Sequence, residues 1–172
     1  MMPRITQHTA ADVPYRKRMV SADIFVSEGA MNDMIEHSAA GASANEEVMG
    51  LLAGHVYRDE AGTYAVVSKA VTSGLLSDDV SVRFDPSDME TLFDALDSLD
   101  FDYVIVGWYH SHLGIGCFLS DTDVKTHASA FGDTGFAMVF DPVKEEMKVF
   151  KGTPDGPADA SMVLVESQTQ MA

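Results

Sequence analysis

The chain carries a single cysteine, Cys117, so no intrachain disulfide can form and a reducing, intracellular location is expected. No apolar run approaches the roughly 20 residues of a membrane-spanning helix. Met1-Met2-Pro3-Arg4 also lacks the charged-then-apolar order of a secretory leader. These absences read as a cytoplasmic protein without a membrane partner. Positive charge is scarce: 11 Lys and Arg stand against 27 Asp and Glu, for a formal net charge of −16. Such a surface repels phosphate backbones and anionic lipids, which excludes nucleic acid as a natural partner and suits basic or neutral proteins. Internal repeats and low-complexity blocks are missing too. What is present is 172 residues with 46% hydrophobic content, enough to bury one substantial core.

Hydrophobic periodicity sets out the elements. Ile24-Phe25-Val26 reads as a short strand, and Ser27 as the cap of a helix to about Ser38 with Ala30, Met31, Met34 and Ile35 as its apolar stripe. Ala39 to Asn45 reads as a loop of small residues. Val48–Tyr57 and Tyr64–Thr72 make a strand pair across Asp59-Glu60-Ala61-Gly62. Pro86 opens a helix to about Leu99, with Met89, Leu92, Phe93, Leu96 and Leu99 at helical spacing. Tyr103–Tyr109 is an apolar run of strand length and reads as a buried central strand. A third helix starts at Ser120 and runs to about Phe131, and Phe136–Phe140 and Met147–Phe150 pair across an Asp141-Pro142 turn. Both element types in one unit, with hairpins and no repeated βαβ, predict an α+β fold.

The chemistry concentrates in Gly107-Trp108-Tyr109-His110-Ser111-His112 and in Ser120-Asp121-Thr122-Asp123. Residues two apart on a strand share a face, so His110 and His112 point the same way. Asp123 follows 11 residues after His112, just inside the third helix. Two imidazoles and a carboxylate suit zinc, and three protein ligands leave a fourth position for water, as catalytic sites do. The plainer alternatives are that the histidines cap a strand end, and that Ser120 and Asp123 only cap a helix whose dipole favours the acid. Metal-assisted hydrolysis is the leading reading.

His110-Ser111-His112, seven residues, then Ser120-x-x-Asp123 resembles the JAMM (MPN-plus) zinc metalloprotease motif. Glu47-Val48-Met49-Gly50-Leu51-Leu52-Ala53-Gly54 is similar to the upstream segment that carries the family's glutamate. The stretches around the histidines and Gly114-Ile115-Gly116-Cys117-Phe118-Leu119-Ser120 look like the proteasome-lid and signalosome deubiquitinase branch, except that Leu113 stands where proline is usual. The resemblance implies an MPN fold, a curved mixed β-sheet flanked by helices. It divides the chain into a flexible arm at 1–18, a catalytic domain at 19–152 and a tail at 153–172. By the same resemblance Zn2+ is the cofactor, His110, His112 and Asp123 are its ligands, Glu47 is the proton carrier and Ser120 stabilises the oxyanion. Glu46 is the rival to Glu47, one residue out of register. Cys117 could close the metal shell as a fourth ligand, but the branch has a non-ligand cysteine there, and a small residue near the site is the reading taken. His127, four residues after Asp123 on the same helical face, either orients that carboxylate or is solvated.

Val80-Ser81-Val82 looks like the family's first insertion, an edge that would pair with the extended tail of a modifier protein; the alternative is an ordinary surface strand. The chain ends about 20 residues beyond Lys151, and is read as a freestanding, prokaryotic (archaeal-type) member. The implied function is a zinc-dependent isopeptidase acting on ubiquitin or ubiquitin-like protein conjugates. The alternatives are a hydrolase of the same family that trims the C-terminus of a small sulfur-carrier protein, and a catalytically silent scaffold.

Overall fold

The computed structural model describes residues 13–77 and 86–166. Their elements are β1 (Ile24–Ser27), α1 (Glu28–Ser43), β2 (Glu47–Asp59), β3 (Gly62–Ser77), α2 (Pro86–Asp97), β4 (Val104–Ser111), α3 (Asp121–Phe131), β5 (Phe136–Asp141), β6 (Glu146–Lys151), β7 (Ala158–Asp159) and β8 (Met162–Val165). All the strands join one mixed sheet in the order β7-β6-β5-β4-β2-β3-β1-β8. β7 and β8 lie at opposite ends of that order, yet only Ala160 and Ser161 separate them in the chain. A link that short reaches from one edge to the other only if the sheet curls back on itself. Asp23 fastens the closure: its carboxylate accepts from Ser161 and from Lys151 Nζ.

Alternation along the strands feeds two cores. One holds Ile24, Val26, Leu52, Ala65, Val67, Tyr109, Met138 and Phe140 with Ala30, Met31 and Met34 of α1. The other holds Met49, Leu51, Ala53, Trp108, Ala137 and Val139 with Leu92 and Leu96 of α2 and Phe131 of α3. β4 breaks strict alternation. Leu52 pairs with Gly107 but Ala53 with Ile105, so Val106 is an extra residue on β4, a bulge. Val106 therefore faces the α1 side while Trp108, two residues on, faces α2 and α3. This phase shift puts everything alternate after Trp108, including His110 and His112, on the α3 side. Gly107 makes the bend possible, because a Cβ there would run into Phe136 O of the parallel neighbour β5.

Several boundaries differ from those read in the sequence. α1 continues through the expected loop to Ser43, since Ala39, Ala40 and Ala42 are strong helix formers. Ile35 faces solvent rather than the core. β2 and β3 form a longer hairpin than expected, turning at Glu60 and Ala61. In the segment read as a loose arm, Arg16 N donates to Arg58 O, and Arg18 forms a two-pronged pair with Asp59. Residues 158–165 of the tail supply both sheet edges. Among the described residues, no helix is long and apolar enough to cross a membrane. Val80, Ser81 and Val82 lie outside the described residues.

Candidate metal centre

The site forms where β4 ends and α3 begins, on the face the bulge selects. His110 and His112 lie side by side with ring centroids 5.0 Å apart. α3 starts at a capping box: Ser120 Oγ accepts from Asp123 N at 3.1 Å, and Ser120 N donates to Asp123 Oδ2 at 2.8 Å. The reciprocal bonds fix the Asp123 side chain on the first turn and leave its carboxylate directed at the histidines. Asp123 Oδ2 stands 3.3 Å from His110 Nε2 and 3.8 Å from His112 Nε2. One ligand atom from each of these three buried residues lies within 4.8 Å of the others, so an ion placed between them could be held by all three.

Protonation follows from the surroundings. Burial alone would raise the Asp123 pKa, but His110, His112 and the Ser120 N–H hold it far below the ordinary carboxylate range, so it is an anion at neutral pH. Burial lowers the pKa of His110. For His112 burial acts the same way, but Asp123, the Gly116 carbonyl and Glu47 outweigh it and the pKa is raised. His112 Nδ1 lies 2.7 Å from Gly116 O, which can only accept, so Nδ1 carries a proton and, in the neutral ring, Nε2 presents a lone pair to the cluster.

His110 has no such arrangement. It is fully buried, and among the described residues neither ring nitrogen has a hydrogen-bond partner. Its Nε2 meets Asp123 Oδ2 at 3.3 Å, a contact that does not count as a hydrogen bond. Buried polar atoms are almost always satisfied, and an orphaned imidazole calls for an explanation. A cation between His110, His112 and Asp123 would satisfy Nε2, and the donor set of two imidazoles and one carboxylate is of the kind zinc takes.

Glu47 and Glu46 separate cleanly. Glu47, at the head of β2, shares the face of Met49, which pairs with His110. It is buried, and burial raises its pKa, with His112 lowering and Asp123 raising it in turn; the carboxyl is thus in electrostatic contact with the cluster. Glu46 is half-exposed, with its Oε2 buried and without a hydrogen-bond partner among the described residues, and nothing couples it to the cluster as Glu47 is coupled. Ser111, between the histidines, faces the opposite way and accepts from Val48 N at 2.9 Å, pinning the start of β2, and with it Glu47, to β4.

The missing proline at Leu113 is offset by a residue that sequence reasoning treated only as part of a turn. Asp141, fully buried, accepts from Gly114 N and Gly116 N at 2.9 and 2.7 Å and from Val143 N and Lys144 N, both at 3.1 Å. Gly116 takes φ +89°, open to glycine at little cost, and its carbonyl is the one that receives His112 Nδ1–H. Cys117 is a free thiol, half-buried on the α2 and α3 side, and lies outside the His110–His112–Asp123 cluster. His127 is neither solvated nor a partner of Asp123. The turn of α3 carries it inward, where Trp108 Nε1 donates to its Nδ1 at 3.1 Å and its Nε2 meets Thr134 O at 2.9 Å. His37, half-buried on α1, bonds to the buried Tyr109 hydroxyl at 2.7 Å.

A curled mixed sheet with helices on both faces, carrying a His-x-His strand end and a capped aspartate on the next helix, defines a JAMM-type MPN domain. Sequence comparison agrees: the chain belongs to the JAB1/Mov34/MPN/PAD-1 ubiquitin protease family, whose profile matches residues 20–132. It is 35% identical over 124 residues to the ubiquitin carboxyl-terminal hydrolase RPN11 of Saccharomyces cerevisiae, covering 70% of this chain and 39% of that protein. It is 35% identical over 127 residues to the 26S proteasome non-ATPase regulatory subunit 14 of Caenorhabditis elegans, covering 72% of this chain and 39% of that one. The COP9 signalosome complex subunit 5 of Kluyveromyces lactis is 30% identical over 148 residues, or 81% of this chain and 38% of its own. The chain thus spans well under half the length of these relatives. The solution structure of a Desulfitobacterium hafniense protein superposes with a TM-score of 0.63 at 23% identity, over 83% of this chain and 93% of that one, and speaks for the fold alone.

Proposed function

We propose that the chain is a zinc-dependent isopeptidase that removes ubiquitin or a ubiquitin-like modifier from target proteins by metal-activated attack of water. The observation that carries this reading is the buried His110–His112–Asp123 cluster with the Glu47 carboxyl against it, in a chain similar to a ubiquitin carboxyl-terminal hydrolase. His110, His112 and Asp123 would hold the zinc. When bound, the ion would act as a Lewis acid and lower the pKa of a water in its open position to about 7.

The remaining work falls to the protein. Peptide hydrolysis needs a group that takes the proton from the attacking water and returns it to the leaving lysine amine. Glu47 suits both steps, because burial raises its proton affinity above that of an ordinary glutamate. Ser120 Oγ already accepts from Asp123 N, which leaves its own O–H to donate to the oxygen where negative charge develops. The Asp123 anion, kept ionised by its neighbours, supplies one negative charge toward a divalent ion. Val80-Ser81-Val82 is proposed to hold the modifier's tail as an added strand, its backbone bonds aligning the scissile carbonyl. A silent scaffold of this fold would need none of these polar groups.

The test is cleavage of a panel of ubiquitin and ubiquitin-like conjugates by the parent, Glu47→Gln and Glu46→Gln. Glu47→Gln should keep its zinc and lose turnover by roughly 10²- to 10⁴-fold. Near-parental turnover by Glu47→Gln, with Glu46→Gln inactive, would move the proton carrier by one residue. Zinc uptake with no cleavage of any conjugate would leave the metal site standing and sink the isopeptidase.

A further inference from the structure

His110 and His112 leave the same strand face but are oriented by different means. Imidazoles that bind metals nearly always donate their other ring N–H to an acceptor, which fixes the ring plane. His112 does so, to Gly116 O. His110 does not: its Nδ1 has no hydrogen-bond partner among the described residues, and its Nε2 has only the 3.3 Å contact with Asp123 Oδ2. Against the face of its ring lies Trp108, two residues earlier on the same strand face. The two rings stack at a centroid distance of 4.6 Å and an interplanar angle of 17°. A stack restrains the plane of His110 only as firmly as the indole itself is restrained.

The indole is restrained by His127. Trp108 Nε1–H can only donate, so the His127 Nδ1 that receives it at 3.1 Å must be unprotonated. The proton of the neutral ring therefore sits on Nε2, which donates to Thr134 O at 2.9 Å. Burial favours this neutral form. Thr134 is itself fastened: its Oγ1 donates to Phe131 O at 2.8 Å, and its N to the same carbonyl at 3.2 Å. The ring of His127 also lies against Phe131, at a centroid distance of 5.5 Å. An unbroken series of contacts thus runs from the turn after α3, through His127 and Trp108, to the imidazole that has no hydrogen bond of its own.

We infer that His127 is a positioning residue of the metal centre: by accepting the Trp108 indole N–H it holds that ring flat beneath His110 and so sets the direction of the His110 ring toward the ion. The inference rests on His110 being a metal ligand. Its logic predicts that the acceptor matters, not the imidazole as such. Glutamine can replace both roles, its carbonyl accepting from the indole and its amide donating to Thr134 O. Leucine fills similar space and can do neither.

The experiment compares the parent, His127→Leu and His127→Gln as purified full-length chains. Zinc affinity is measured by chelator competition, and emission and anisotropy of the indole are read on the metal-free proteins. Trp108 is the only tryptophan, so the signal has a single source. His127→Leu should weaken zinc binding about 10- to 100-fold, the range for loss of an outer partner of a metal ligand. It should also lower the anisotropy, whereas His127→Gln should stay near the parent in both. A folded His127→Leu protein with parental zinc affinity and anisotropy would overturn the inference. Equal losses in the leucine and glutamine variants would do the same, since the effect would then come from packing. If His127→Leu does not fold, Trp108→Phe keeps the stack without the N–H. In that background His127→Gln should leave zinc affinity unchanged, and a further 10-fold loss there would overturn the claim. A parent that binds no zinc would defeat the metal reading instead, and the anisotropy on metal-free protein would still decide whether His127 holds the indole.

Discussion

Two groups of buried polar side chains lie within a few residues of each other, and they are treated in opposite ways. Around Asp141 both carboxylate oxygens are satisfied, with four backbone N–H groups converging on them. At His110, both ring nitrogens are buried without a hydrogen bond among the described residues. The first arrangement stabilises the fold and the second costs stability, because a buried polar atom without a partner loses its water and gains nothing. Ser38 Oγ and Glu46 Oε2 are buried without partners too, but only His110 has its unpartnered nitrogens in a cluster that could hold a metal ion. The contrast yields a rule that can be broken: substitutions in the satisfied group should damage the fold, and substitutions in the unsatisfied group should damage function while sparing it.

The largest effect is expected at Glu47, which borders the unsatisfied group through its electrostatic coupling to His112 and Asp123. Glu47→Gln should reduce turnover roughly 10²- to 10⁴-fold, about 3–5 kcal/mol in activation free energy. Its unfolding free energy should be equal to the parent's or higher, because removing a buried carboxyl with a raised pKa relieves a cost. Chemical denaturation of metal-free protein checks this, and a loss of stability matching the loss of activity would erase the distinction between the two groups.

Asp141→Asn should behave in the opposite manner. The amide cannot accept from every N–H that the carboxylate serves, and a destabilisation of roughly 2–4 kcal/mol is expected in urea. The parent's pH dependence carries the same signature. Burial works to raise the Asp141 pKa, but the N–H groups of Gly116, Lys144, Gly114 and Val143 outweigh it and hold it below the ordinary aspartate value of 3.8. A depressed carboxyl contributes stability that is complete above the unfolded value and is lost as pH falls through the folded one. Denaturation series at neutral pH and near pH 3 should therefore show the gap between parent and variant narrowing in acid. A constant gap would mean that the charge of Asp141 is not what ties the two turns together.

The smallest of these effects is expected at Ser27, a satisfied group far from the cluster. Its hydroxyl accepts from Ala30 N and donates to Ser68 O, both at 3.1 Å. Ser27→Ala should lower stability by about 1 kcal/mol through the lost cap and leave zinc affinity untouched. Urea midpoints with parallel zinc titrations test both halves.

The ease of reading the site from the sequence follows from where its parts lie. His110 and His112 share a face by strand periodicity, and Ser120 with Asp123 carries a helix-start pattern, so each half is local. Hydrophobic spacing likewise made α2, α3 and β4 readable. What could not be read depends on how elements meet. The phase shift at Val106 arises only when β4 pairs with β2, and without it the face chosen by His110 is undetermined. His127 meets Trp108 only because α3 packs on the sheet at a particular rotation, so its sequence spacing from Asp123 pointed to the wrong partner. Asp141 looked like half of an Asp-Pro turn, because its four donors come from two separate loops. Ala158–Val165 becomes the two sheet edges through closure of the whole sheet, which no local pattern signals.

The most direct test of the account is the thermal melt of the parent and of His110→Leu, each with and without zinc, alongside zinc stoichiometry. The account predicts about one zinc per parent chain, with a melt raised by an amount corresponding to about 2.7 kcal/mol at a hundred times the dissociation constant. His110→Leu should melt, without metal, at or above the metal-free parent, and zinc should not move it. If His110→Leu still takes up one zinc per chain with the parent's shift, the unpartnered imidazole is not a ligand and the metal centre lies elsewhere.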